Sequence, residues 1–88
     1  MEPIRLSNHA QLQMELRGAS EEEVVTAINS GTWEPAKLGK LKTKHKFDFN
    51  AISMANQKIY KYKTVEPVFA DENDKIIVIT VKVYYSND

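Results

Sequence analysis

Residues 7–31, SNHAQLQMELRGASEEEVVTAINSG, decide the fold. They encode two short helices, with a histidine, His9, near the start of the first. Ser20 is followed three residues later by Glu23, so each side chain can satisfy a free backbone N–H of the other's turn. This spacing predicts a capping box that opens the second helix. Gly18 and Gly31 stand where the helices end, each predicted to take the left-handed cap conformation. The first helix is predicted over 8–17, capped by Ser7 or Asn8, with Leu12 and Leu16 as its buried stripe. The second is predicted over 21–30, burying Val24, Val25 and Ile28. Its first-turn glutamates Glu21, Glu22 and Glu23 favour the positive end of the helix dipole. The short gap between the helices implies an αα-hairpin.

Outward from this hairpin the hydrophobic period changes. Upstream, Met1–Leu6 reads as an extended lead-in, because Pro3 is excluded from a helix interior. Downstream, about 32–44 is a basic linker punctuated by Pro35 and Gly39, and a sheet is predicted over about 45–85. Phe47, Phe49 and Ala51 alternate with Lys46, Asp48 and Asn50, the pattern of a half-buried strand. Met54–Gln57 is the expected turn. Lys58–Val65 reads as a second strand, broken by Pro67, with Val68–Ala70 as a short third. Asp71–Asp74 forms a turn cluster. The last strand is Ile76–Tyr85, whose odd positions Ile77, Ile79, Val81, Val83 and Tyr85 are wholly apolar. Two helices followed by strands with short connections predict one α+β domain over 1–88, with an N-terminal αα-hairpin packed on a three- to four-stranded antiparallel meander.

Composition narrows the function classes. Hydrophobic content of 42% and charged content of 27% are ordinary for a globular chain. With no cysteine, neither a disulfide frame nor a thiolate zinc site is available. No apolar run reaches membrane-spanning length and the first residues lack a signal-peptide core, so cytoplasmic residence is the expectation. Net charge is zero but segregated. The chain carries −4 through Ala36, +7 from Lys37 to Lys63 with eight lysines against Asp48, and −3 beyond. That central run is either a solvated lysine-rich loop or a patch that meets phosphate.

The words His9-Ala10, Met14, Arg17-Gly18, Ser20, Glu23-Val24 and Ala27-Ile28 resemble, in order and spacing, the domain-of-unknown-function family DUF4258. The strand phrases FDFN, YKYKTVEPVFADE and ITVKVYY look like one branch of it. That family in turn resembles the RelE/ParE-type toxins and small RNase-like folds. The resemblance implies helices first and a meander after, and a toxin-type, metal-independent ribonuclease or a degenerate relative. It also implies RNA and a small antitoxin-like protein as partners, with no membrane and no cofactor, and it is compatible with a homodimer. Gln13 and Leu16 stand where the family usually has an arginine and an acid, which removes positive charge from the helical face.

The chemistry on offer is read against plain alternatives. His9 carries an imidazole, the side-chain type suited to proton transfer at physiological pH, and lies by free N–H groups at a helix start, where it could serve as acid–base or phosphate-positioning residue. Otherwise it is a structural histidine beside the sheet. Arg17 can engage a phosphate bidentately, or it can stabilise its helix C-terminus or pair with Glu21 or Glu22. RelE-type enzymes are similar in aligning a ribose hydroxyl and stabilising phosphate charge with sheet residues. Thr80 and Tyr84 are candidates to orient substrate, and Lys42, Lys44, Lys46, Lys61, Lys63 and Lys82 to contact RNA. Such residues also suit the solvated face of any amphipathic strand. His9 and His45 lack the spacing of zinc ligands, and no phosphate loop, nucleophile elbow or calcium loop is present. The rival function is a non-catalytic protein-binding module using the sheet face or an edge strand.

Overall fold

The computed structural model describes residues 3–54 and 56–88. Its elements run β1 (Ile4–Leu6), α1 (Asn8–Arg17), α2 (Glu21–Ser30), β2 (Glu34–Pro35), a single 3-10 turn (Lys37–Gly39), β3 (Leu41–Lys42), β4 (His45–Ile52), β5 (Ile59–Asp71) and β6 (Ile76–Ser86). Both helices keep the bounds their sequence signals predict. Ser7 caps α1 by accepting from the Ala10 N–H. Gly18 closes it at φ 82°, its N–H on the Met14 carbonyl. The capping box of α2 is complete, with the Ser20 N–H donating to Glu23 and the Glu23 N–H to the Ser20 hydroxyl.

Gly31 departs from expectation. Its backbone is extended, with φ −85° and ψ 163°, so left-handed geometry is not why glycine stands there. A Cβ at this position would lie 1.9 Å from the Thr43 hydroxyl oxygen, and the close approach of β3–β4 to the end of α2 excludes any side chain.

The buried stripe of α1 also differs from the expected one. Ala10 and Met14 face the core, whereas Leu12 and Leu16 are 52% and 61% exposed. The helix is clamped at both ends. The Ser7 hydroxyl donates to the Ile79 carbonyl and Arg17 Nη1 to the Val81 carbonyl. These bonds set the rotation of the helix, and 3.6-residue periodicity then turns the two leucines outward.

The sheet has six strands in place of the expected three or four, and it is mixed. The meander reading holds for β4, β5 and β6, which are antiparallel. The mixed character comes from β1, which the sequence marks only as extended; it runs parallel to β6 with Ile4 beside Ile76 and Leu6 beside Val78. The basic linker is likewise ordered, holding β2, the 3-10 turn and β3. The expected turn at Met54–Gln57 is closed by bonds between Ser53 and Lys58 and from Gln57 to Ser53; Ala55 lies outside the described residues, as do Met1 and Glu2.

Pro67 does not break β5, which is continuous from Ile59 to Asp71. Its carbonyl accepts from the Thr43 N–H, so both backbone positions of Pro67 face away from β6. There the partner of β5 changes from β4, whose first residue His45 lies opposite Val65, to β3, whose last residue Lys42 lies opposite Val68. A missing donor costs no ladder bond in that gap.

The apolar odd positions of β6 are not one buried face. Val68 pairs with Thr80 and Phe69 with Val78, leaving Ile79 as an extra residue that switches the strand's faces. Ile76 and Val78 point to the core before this bulge, and Val81 after it. The core joins these residues to Ala10, Met14, Val24, Ile28, Val65 and Phe69. Each large side chain so buried contributes roughly 1.5–3 kcal/mol by removal from water.

Candidate nucleic-acid interface

Strand alternation sorts the candidate residues onto two faces. In β5, Lys63, Val65, Pro67 and Phe69 are buried towards the helices. The even positions Tyr62, Thr64, Glu66 and Val68 therefore form the face that no helix covers. Across from them in β6 stand Ser86, Tyr84, Lys82 and Thr80. Lys46 and Asp48 of β4 pair with Thr64 and Tyr62, and Lys42 of β3 pairs with Val68. Thus Lys42, Lys46, Thr80, Lys82 and Tyr84 share the open face.

At one end of this face is a shallow groove of about 480 Å³, lined by Pro35, Ala36, Lys37, Lys42, Val68, Thr80 and Lys82. Among the described residues, the lysine held in an ion pair with an acidic side chain is Lys63; Lys37, Lys42 and Lys82 have no such partner. Lys37 belongs to the basic run that the sequence marks, though not to the six lysines singled out as RNA contacts. Its contribution depends on the 3-10 turn folding back beside β3, which the Pro35 and Gly39 signals do not specify. Further along the same face, Tyr84 is 51% exposed. Lys46 lies 4.3 Å above the centre of the Tyr62 ring and donates to the main-chain oxygen of Asp88. Glu66 and Asp48 interrupt the positive charge.

The other candidates are placed elsewhere. His9 is exposed in the first turn of α1, in the helical layer across the sheet from the groove. Arg17 is half-buried and one of its five N–H donors, on Nη1, is bonded to the Val81 carbonyl at 2.8 Å. Lys44 is exposed between β3 and β4. Lys61 is exposed, on the same strand parity as Lys63, its backbone N–H donating to Asn87 Oδ1.

Lys63 is only 6% exposed and belongs to a polar cluster under the helical hairpin. Its Nζ lies 2.8 Å from Glu23 Oε2, donates to the Gly18 carbonyl at 2.8 Å, and sits 5.1 Å from the centre of the Phe49 ring. Beside it the Tyr85 hydroxyl donates to the Arg17 carbonyl at 2.6 Å. Burial pushes the Tyr85 phenol above its usual value, and the nearby Glu23 charge acts in the same direction against a hydrogen bond from Ser53. This cluster ties the turn between α1 and α2 to β5 and β6. Sequence reasoning missed it because Glu23 is fully accounted for by its capping role.

Among the described residues no helix is long and apolar enough to cross a membrane, and no three histidine or acidic side chains converge as metal ligands. No curated protein and no solved structure matches the chain. The family described as Domain of unknown function (DUF4258) matches residues 6–83, from the end of β1 into the second half of β6. The chain belongs to the DUF4258 family.

Proposed function

We propose that the open face of the sheet binds RNA, and that this protein is a degenerate relative of the toxin-type, metal-independent ribonucleases of the RelE/ParE kind. The observation that carries this reading is the convergence of Lys37, Lys42, Lys82 and Thr80 on one groove, with none of the three lysines in an ion pair among the described residues, although Glu34 and Glu66 are the cross-strand neighbours of Lys42 and Lys82. Three ammonium groups around a concave, helix-free surface suit a phosphate backbone, and the exposed Tyr84 ring offers a base a stacking surface. The degenerate form is favoured because Arg17 is anchored to the Val81 carbonyl at the β6 edge and His9 lies in the helical layer, both away from the groove. Thr80 and Tyr84 remain to orient a substrate, without the acid–base residue that the resemblance implies.

A fluorescently labelled RNA oligonucleotide titrated with protein between about 50 and 200 mM salt tests the reading. Affinity should fall as salt rises, and the slope of log K against log salt should shrink by about 0.7 for each contacting lysine replaced. Lys42→Gln and Lys82→Gln should each show this, whereas salt-independent binding, or none at micromolar protein, would overturn it. Incubating RNA with the wild type, His9→Ala and Tyr84→Phe then separates binding from cutting, since a positioned acid–base group contributes about 10²–10⁴ in rate. Cleavage lost in His9→Ala would restore the active-ribonuclease form.

The rival reading, a protein-binding module, is favoured by a separate observation: Leu12 and Leu16 are exposed and part of the β6 edge is open.

A further inference from the structure

Among the described residues no strand pairs with β6 on the side away from β5 beyond β1, which ends opposite Val78. Arg17 donating to the Val81 carbonyl shows which way the odd residues point their backbone groups. Val81 stands opposite Pro67, which has no N–H to exchange. By alternation, Val83 and Tyr85 also turn their N–H and C=O groups away from β5, and nothing among the described residues bonds to them. The edge is covered at Ile79 by Ser7 and at Val81 by Arg17, and then left open.

The other long edge of the sheet is protected. β4 pairs with β5 alone, but its register shifts between Asp48 and Ala51, Asn50 takes φ 48°, and Lys46 and Asp48 carry charge. Bulges and charges are the devices that keep edge strands from pairing. Residues 83–85, Val-Tyr-Tyr, have no charge, proline or bulge.

We propose that β6 pairs edge to edge with β6 of a second copy of this chain, antiparallel, about a two-fold axis at Tyr84. This register satisfies the open groups, because Val83 of one copy falls opposite Tyr85 of the other and each such pair exchanges both backbone bonds. Its side chains agree with it. Tyr84 meets Tyr84 across the axis, and Lys82 falls opposite Ser86, so no like charges are directly opposed. The overlap stops at residue 82, before the Arg17 guanidinium. The two-fold axis is normal to the sheet, so the open faces of both copies lie on one side. The pairing stands independently of RNA binding.

Sedimentation velocity over a concentration series should show the wild type passing from monomer to dimer. Tyr84→Lys and Tyr84→Glu place like charges across the axis, and each alone should stay monomeric. An equimolar mixture of the two should recover the dimer. Val83→Pro removes an edge N–H that makes no bond to β5 and leaves the open-face side chains in place, so loss of the dimer with RNA binding retained separates this inference from the RNA reading. Hydrogen exchange on the wild type gives a readout without any variant: the amides of Val83 and Tyr85 should slow as protein concentration rises. A wild type still monomeric at about 1 mM, the weak end of specific association, would overturn the proposal. So would a dimer indifferent to both charged variants, or exchange at Val83 and Tyr85 that is the same at every concentration.

Discussion

Glu23 serves Lys63 and Ser20 at once: Oε2 lies 2.8 Å from the Lys63 ammonium, while Oε1 accepts from the Ser20 N–H at 2.9 Å. One carboxylate thus starts α2 and neutralises a lysine buried beneath it. The capping oxygen is set by the local turn, and its twin is thereby aimed at β5. A helix cap and a helix–sheet contact become one interaction, which couples the hairpin to the sheet.

Replacement of Glu23 should therefore cost more than a cap. Loss of an exposed capping interaction costs about 1 kcal/mol, whereas stranding a buried charge costs about 3–5 kcal/mol. Lys63 keeps the Gly18 carbonyl and the Phe49 face, so Glu23→Gln should destabilise by about 2–3 kcal/mol. Glu22→Gln, on the exposed side of the same turn, should stay within about 0.5 kcal/mol. Urea unfolding of the two variants checks the difference, and equal midpoints would refute the coupling.

Tyr85→Phe removes the donor to the Arg17 carbonyl and leaves Ser53 without that partner, which should cost about 1–3 kcal/mol. The phenol also gives a pH signature. Its folded value is raised above the ordinary 10.0, so the unfolded chain releases the proton first as pH climbs. Its stabilising contribution is complete below about pH 10 and is lost above it. The wild type should thus lose more stability than Tyr85→Phe between about pH 9 and 11, measured as the difference between their thermal midpoints at each pH.

Gly18→Ala should be poorly tolerated for two reasons that add. Its φ of 82° costs a residue with a Cβ about 1–2 kcal/mol. The new methyl would also lie 2.8 Å from the Tyr85 hydroxyl oxygen, pushing it off the Arg17 carbonyl. Gly39→Ala shares a positive φ, 71°, in open space and should show the backbone cost alone. Comparing the two by denaturant unfolding isolates the contact.

Lys63 and Lys82 should separate stability from binding. Lys63→Gln strands Glu23 and should lower stability by about 2 kcal/mol or more while leaving the salt dependence of RNA binding unchanged. Lys82→Gln, exposed on the open face, should leave the thermal midpoint almost unchanged and reduce the salt slope by about 0.7. The reverse pattern would place the interface on the helical side.

His9→Ala should change stability by less than about 1 kcal/mol, because the side chain is exposed in the first turn of α1. A larger loss, read by the same unfolding measurement, would mean that the imidazole has a structural partner.

Features set by neighbours along the chain were legible in the sequence. Ser7, Ser20, Glu23 and Gly18 act within one helical turn, and they place α1 and α2 at the bounds their spacing predicts. The alternation of β4 and the apolar content of β6 were legible for the same reason, since period two is a local property. What depends on groups distant in sequence was not. Pro67 continues β5 because β3 and β4 leave a gap beside it, and Gly31 is required by Thr43 from another element. Leu12 and Leu16 face outward because Ser7 and Arg17 are bonded to carbonyls of β6. The candidate site divides along the same line. Residue type nominated the lysines, but the Ile79 bulge and strand parity decide which of them share a face. They set Lys42 and Lys82 around one groove and turn Lys63 under the helices, because side-chain direction in a sheet is fixed by register, and register is fixed only when the strands meet.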